Sequence, residues 1–160
     1  MKVVYRLLPA LLIALTLDWA TKMWAEQTLV LDQPVSVIGQ VFRLTLGYNT
    51  GLGFGLFASN GPGPVALTGV VIFGLAAWIV NALRTGDLSP SAGWPIGLLF
   101  GGAIANFADR LPDGRVTDFL DVGLGATRWP TFNLADSLIV LGVSLLMVTI
   151  IRAKPKETSQ

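Results

Sequence analysis

Apolar positions along the chain gather into four long runs, about residues 5–24, 65–83, 94–111 and 133–151. Each is near the roughly 20 residues that a helix needs to cross a bilayer core. Between the first two runs the pattern changes period. Phe42, Leu44 and Leu46 alternate with Arg43 and Thr45, as in a half-buried strand, and Gly39–Gln40 offers a turn between two short strands. The patterning predicts an all-α membrane protein of four transmembrane helices, with a small extracytoplasmic β-sheet on the membrane surface. Residues 1–160 are read as one four-helix domain without internal repeats, with outer loops at 26–64 and 112–132.

Composition agrees with that class. The chain is 52% hydrophobic and 13% charged, which is membrane-protein composition. The first run follows Lys2 and Arg6 as a signal peptide would. Asp18, however, stands where a small-residue cleavage site is wanted, and no Ala-x-Ala follows, so the run reads as a retained span. Lys2, Arg6, Arg84, Arg152, Lys154 and Lys156 fall on one side of the spans. Lys22, Arg43, Arg110, Arg115 and Arg128 fall on the other. The basic clusters at the termini flank their spans closely and predict both termini in the cytoplasm.

Charge and residue usage narrow the chemistry. A net charge of +1 gives no reason to expect nucleic acid. The chain has no cysteine and no histidine. That excludes disulfides, thiol nucleophiles, a lipoprotein signal of its own, Ser-His-Asp triads and His-ligated metals. Acid–base work must fall to Asp, Glu, Lys or Tyr.

Polar residues concentrate at one end of the spans, where a charge in a membrane helix needs a partner or a function. Gly102, Asn106 and Asp109 share a helix face, with Arg110 four residues after Asn106. Small residues Gly101, Gly102, Ala103 and Ala105 permit close backbone approach, and Pro112, Asp113 and Gly114 end the helix. Asp18, Thr21 and Lys22 cluster in the first span, and Asn133, Asp136 and Ser137 in the fourth. Structural roles are available to each. Asp109 can pair with Arg110, Asp18 with Lys22, and Asp136 with an arginine. Asn133 can cap its helix, and Asp118 and Asp121 can be solvated loop carboxylates. Together, two approaching carboxylates would share a proton and activate water, the aspartic-protease arrangement. A proton-coupled transporter, a small channel and a structural membrane subunit remain open on the residues alone. The glycine-rich run Tyr48–Phe57 lacks a following Gly-Lys-Ser/Thr and is no phosphate loop. It is either a turn where the chain enters the membrane or a cover over a site.

Five stretches, in order, resemble the motifs of the lipoprotein signal peptidase (signal peptidase II) family. "DWATK" at 18–22 resembles Asp-x-x-Ser/Thr-Lys, and "NTGLGFG" at 49–55 resembles Asn-x-Gly-x-Ala-Phe-Gly/Ser. "GGAIANFADR" at 101–110 resembles Gly-Gly-Ala-x-Gly-Asn-x-x-Asp-Arg. "VTDF" and "FNLAD", beginning at Val116 and Phe132, resemble Val-x-Asp-Phe and Phe-Asn-x-Ala-Asp. Gly53 and Ala105 depart from the pattern, each exchanging one small residue for another. The resemblance implies a membrane aspartyl endopeptidase of the bacterial inner membrane, with catalytic residues Asp118 and Asp136 at the extracytoplasmic face. It gives substrate-binding or supporting roles to Asn49, Gly51, Asn106, Arg110, Asn133, Asp18, Lys22 and Asp109. The implied substrates are diacylglyceryl-modified prolipoproteins, cut on the N-terminal side of the lipidated cysteine. Membrane lipid is an implied partner, globomycin-type cyclic peptides are implied inhibitors, and no metal or organic cofactor is implied.

Overall fold

A computed structural model of the chain describes residues 2–51 and 63–152. Residues 52–62 lie outside the described residues. They include Gly53 and most of the glycine-rich run read as either a membrane-entry turn or a cover over the site.

Four long helices account for most of the described chain: α1 (Val4–Thr28), α2 (Gly63–Thr85), α3 (Gly93–Asp113) and α4 (Leu134–Arg152). Each apolar run thus becomes a helix, extended by a residue or more at most of its ends. By length and composition α1, α2 and α4 are apolar enough to cross a membrane. Their outward side chains suit lipid: Phe73 is 76% exposed and Ile151 79%. The 21-residue α3 is long enough but more polar towards its C-terminus, with Asn106, Asp109 and Arg110 there. It runs between α1 and α4, and a single turn of 3₁₀ helix, Pro90–Ala92, leads into it. Gly114, in the left-handed conformation at φ 80°, closes α3 and donates its N–H to the Arg110 carbonyl at 2.8 Å.

Small residues set the approach of the helices. Gly93, Gly97 and Gly101 recur every four residues along the α3 face that meets α1. A Cβ at Gly97 would stand 2.4 Å from the Leu7 carbonyl oxygen, and one at Gly101 2.7 Å from Ala14 Cβ. On α1 the facing Ala10 and Ala14 are fully buried. Gly102 and Gly142 do the same between α3 and α4, where a Cβ at Gly102 would lie 2.6 Å from the Ala135 carbonyl oxygen. Without a water-driven hydrophobic effect between lipid-embedded helices, such close backbone packing is the main source of association.

The sheet is antiparallel, in the order β1 (Val35–Ile38), β2 (Phe42–Asn49), β3 (Val116–Leu124) and β4 (Thr127–Arg128). The β1–β2 hairpin is the predicted one, turning at Gly39 with φ 50°. Half of the sheet was not predicted, because the second outer loop supplies β3 and β4. Their hairpin turns on Gly125–Ala126, with Gly125 at φ 56°. Between Leu44↔Leu120 and Gly47↔Asp118, β2 spends one residue more than β3. This bulge breaks the simple alternation of Phe42, Leu44 and Leu46. Leu46 and Phe119 are buried with Ala25 of α1, and Phe119 meets Trp24 edge to face at 6.4 Å between ring centres. The sheet is thereby fixed to the C-terminal end of α1. The segment before α4 also pairs with β3, through Leu120↔Phe132. This pairing brings the start of α4 alongside Asp118.

Asp121 is not a solvated loop carboxylate; it is 5% exposed. Arg43 Nε donates to its Oδ2 at 3.2 Å and Thr45 Oγ1 at 2.9 Å, while Arg128 Nε donates to Oδ1 at 2.7 Å. One carboxylate thus joins β2, β3 and β4. Burial pushes the Asp121 carboxyl up, but the bonds from Arg128 and Thr45 and the charges of Arg128 and Arg43 outweigh it and hold it below the ordinary carboxylate value.

Candidate active site

Asp118 lies in the middle of β3 and is 2% exposed, so the solvated-loop expectation fails for it as well. Its Oδ1 accepts from Asn133 Nδ2 at 2.7 Å and its Oδ2 from Asn49 Nδ2 at 3.1 Å. Burial, and next the charge of nearby Asp136, push its carboxyl from 3.8 up to about 7; the bonds from Asn49 and Asn133 offset only part of this. A carboxyl at that value is poised to hold or release a proton at neutral pH.

Asp136 sits in the first turn of α4 and is half-buried. Asn133 caps that helix as expected, its Oδ1 accepting from the Asp136 N–H at 3.0 Å. Asp136 Oδ2 answers by accepting from the Asn133 N–H at 3.2 Å. This is a capping box with aspartate in the place usually taken by Glu or Gln. The cap and the link to Asp118 use different atoms of one fully buried Asn133 side chain. The head of α4 and the middle of β3 are thus tied by a single residue.

The expected pairing of Asp136 with an arginine is absent among the described residues, as is that of Asp109 with Arg110. Asp136 Oδ1 takes an amide proton from Asn106 Nδ2 at 2.8 Å instead. Adjacent residues on a helix point about 100° apart, and Asp109 and Arg110 go separate ways. Asp109 Oδ2 lies 3.1 Å from Lys22 Nζ and accepts from the Thr117 N–H at 2.9 Å. Arg110 Nη2 donates to the Gly51 carbonyl oxygen at 2.7 Å. The Gly51 N–H in turn donates to Asn49 Oδ1 at 2.9 Å, which orients the amide that Asn49 offers to Asp118. Asp18 and Lys22 pair at 2.7 Å as their spacing predicted, and Asp18 Oδ1 also accepts from the Ala135 N–H at 2.7 Å. Lys22 Nζ reaches on to Asn106 Oδ1 at 2.9 Å.

All ten residues singled out in the sequence therefore meet at one end of the bundle. Two more belong with them. Thr117 carries Asp118 and is held through its N–H by Asp109, through its carbonyl by Asn133 at 3.3 Å, and through its hydroxyl by Glu26 at 2.7 Å. Glu26 stands four residues beyond Lys22, so the same i, i+4 spacing that flagged Asp18 and Lys22 would have flagged it. Among the described residues no group of three or more His, Cys, Asp or Glu is arranged to hold a metal ion.

A helical bundle with spans fit for a bilayer, and two carboxyls linked through one asparagine at one end beside a small sheet, defines a membrane protein equipped for acid–base chemistry. Residues 10–152 match the family model described as signal peptidase (SPase) II, and the chain belongs to that family. It is a signal peptidase II aspartic peptidase, a hydrolase of lipoprotein processing, and a bacterial multi-pass membrane protein. It is 38% identical to the lipoprotein signal peptidase of Geobacter sulfurreducens, covering 98% of this chain and 99% of that one. With that of Brevibacillus brevis it shares 35% identity over 91% and 93% of the two chains. A solved bacterial membrane enzyme superposes with a TM-score of 0.78 at 24% identity, over 96% of this chain and 92% of that one, a likeness of fold.

Proposed function

We propose that the chain removes the signal peptide from diacylglyceryl-modified prolipoproteins by an Asp118–Asp136 dyad, cutting on the N-terminal side of the lipidated cysteine. All four long helices cross the membrane in this reading. The sheet lies on the outer surface with the dyad, and both termini are cytoplasmic. Acyl chains kept in the bilayer hold the scissile bond at the depth of the dyad, which lowers the orientational cost of the encounter. The observation that carries the reading is the shared asparagine: Asn133 bonds Asp118 through its amide and Asp136 through its cap.

Near neutral pH the Asp118 carboxyl, pushed up to about 7, holds a proton. Asp118 is the more deeply buried; Asp136, half-exposed, is the base. A water between them loses a proton to Asp136 as its oxygen attacks the scissile carbonyl carbon, and Asp118 gives its proton to the carbonyl oxygen. In the resulting gem-diol the C–N bond breaks. The departing nitrogen takes the proton from Asp136, and Asp118 recovers its own from a gem-diol hydroxyl. Both carboxyls then stand as they began. Asn49, Asn106 and Asn133 hold the pair, and Arg110 holds Gly51. A globomycin-type cyclic peptide would compete at this end of the bundle.

The test is cleavage by purified protein of one peptide with and without the diacylglyceryl group, with products weighed by mass spectrometry. The expected product begins with the lipidated cysteine, and the unmodified peptide is cut poorly or not at all. Equal cleavage of both peptides, or a cut elsewhere, would remove the proposed substrate class.

A further inference from the structure

The Lys22 ammonium has three protons and no capacity to accept. All three are committed: to Asp18 Oδ2 at 2.7 Å, to Asn106 Oδ1 at 2.9 Å and to Asp109 Oδ2 at 3.1 Å. The side chain is only 7% exposed. The contact with Asn106 has a directional consequence. An amide presents an acceptor on one side and two donors on the other, and the two orientations are otherwise close in shape. Facing the ammonium and the Asn133 Nδ2 donor at 3.1 Å, only the oxygen side is tolerated. Asn106 Nδ2 is then forced to the far side, where it donates to Asp136 Oδ1 at 2.8 Å. The contact with Asp109 leads to the other aspartate. Asp109 Oδ2, held by Lys22, accepts the Thr117 N–H, and Thr117 is the residue before Asp118.

We infer that Lys22 is a positioning residue for both halves of the dyad: together with Asn133 it holds the Asn106 amide that donates to Asp136, and through Asp109 it anchors the strand that carries Asp118. This rests on the dyad reading. It adds that the charge on α1 is there to set the polarity of a hydrogen-bond chain rather than only to neutralise Asp18. Without the ammonium the Asn106 oxygen keeps only the bond from Asn133 Nδ2, and the amide is held less firmly. A shift of that amide moves the donor it offers Asp136, and with it the carboxylate that must deprotonate the water. A misplacement of about 1 Å at a reacting group costs on the order of 100-fold in rate.

The variants are Lys22→Met and Asn106→Leu, singly and together. The pair Asp18→Asn/Lys22→Met keeps the local charge balanced should Lys22→Met fail to accumulate. Each is purified in detergent and freed of aggregate by size exclusion. Its melting temperature and its kcat and KM on a diacylglyceryl peptide are then measured. Lys22→Met, or the balanced pair, is expected to lose about 100-fold in kcat with KM within about threefold of the parent. In the Asn106→Leu background the same change should cost clearly less than in the parent, because only the route through Asp109 and Thr117 is left to it. If folded Lys22→Met and the balanced pair keep kcat within about threefold of the parent, the inference is overturned. It is overturned equally if the losses multiply in the Asn106→Leu background, or if KM rises while kcat holds. Asp136→Asn, measured alongside, separates the two ideas. Were Asp136→Asn itself to cleave normally, the dyad reading would have failed, whatever Lys22 does.

Discussion

The raised Asp118 carboxyl should be visible as a pH dependence of folding. In the native protein it titrates near 7 against 3.8 for an ordinary aspartate. Between those values the folded state binds a proton that the unfolded chain has released, so stability falls as pH rises through this window and levels off above it. At 1.36 kcal/mol per unit, the difference amounts to roughly 4 kcal/mol at most. Asp118→Asn removes the titration while keeping the shape, so the comparison between parent and variant isolates Asp118, together with its coupling to Asp136, from the remaining groups. Near pH 4.5 the two proteins should melt within a few degrees of each other, since a protonated carboxyl and an amide are alike. By pH 8 the variant should be the more stable, by on the order of 10 °C in melting temperature. Differential scanning fluorimetry in detergent across pH 4.5–8.5 measures both. Parallel curves for parent and variant would refute the argument, because a carboxyl that titrates alike in both states leaves no such difference. The physical content is that a carboxyl buried beside another costs stability.

Other substitutions follow from the packing. Gly97→Val places atoms against the Leu7 carbonyl oxygen, 2.4 Å from where a Cβ would start, so the α1–α3 contact must open. Loss of folded protein, or a destabilisation of about 1–3 kcal/mol or more, is expected, read by yield and melting temperature in detergent. Asp121→Asn should lower the melting temperature at pH 8 by uncoupling Arg43 and Arg128, and the gap should narrow as the pH falls through the carboxyl's own depressed titration. Asp113→Asn, which alters a carboxylate 45% exposed and bonded only to Arg115 and its N–H, should leave melting and cleavage unchanged in the same assays.

How much of this was legible beforehand differs between element types. The helices announced themselves because a bilayer demands one long apolar run per crossing, and their ends were marked by Pro112–Gly114 and by the Asn133 cap. β3 was hidden because both Asp118 and Asp121 lie within it, three residues apart and so on opposite faces, and both are buried. No alternation of polar and apolar residues survives that. The Gly125–Ala126 turn between Leu124 and Thr127 was the available sign of a hairpin. Within the site, local spacing revealed the Asp18–Lys22 pair and the cap, both of which lie inside one helix. Lys22 to Asn106, Asn133 to Asp118 and Thr117 to Glu26 join residues 84, 15 and 91 positions apart. Such links depend on the packing of α1 and α3 and on the pairing of β3, which periodicity does not report. The resemblance supplied Lys22, Asn106, Asn133 and Asp118 without their connections, and it gave no role to Thr117 or Glu26. It also left Asp121 looking inert, although the carboxylate clamps three strands.

The central claim is that Asp118 and Asp136 act as one proton-sharing unit. The most direct test is the cleavage rate of a diacylglyceryl-modified prolipoprotein by Asp118→Asn, Asp136→Asn and the double variant, each shown by melting to be folded. An amide keeps the size and much of the hydrogen bonding but cannot exchange the proton. Each single variant should fall to background, and the double should be no worse than either, because groups acting as a unit are lost together. A folded single variant that cleaves near the parental rate would contradict the account, and so would two partial losses that multiply in the double.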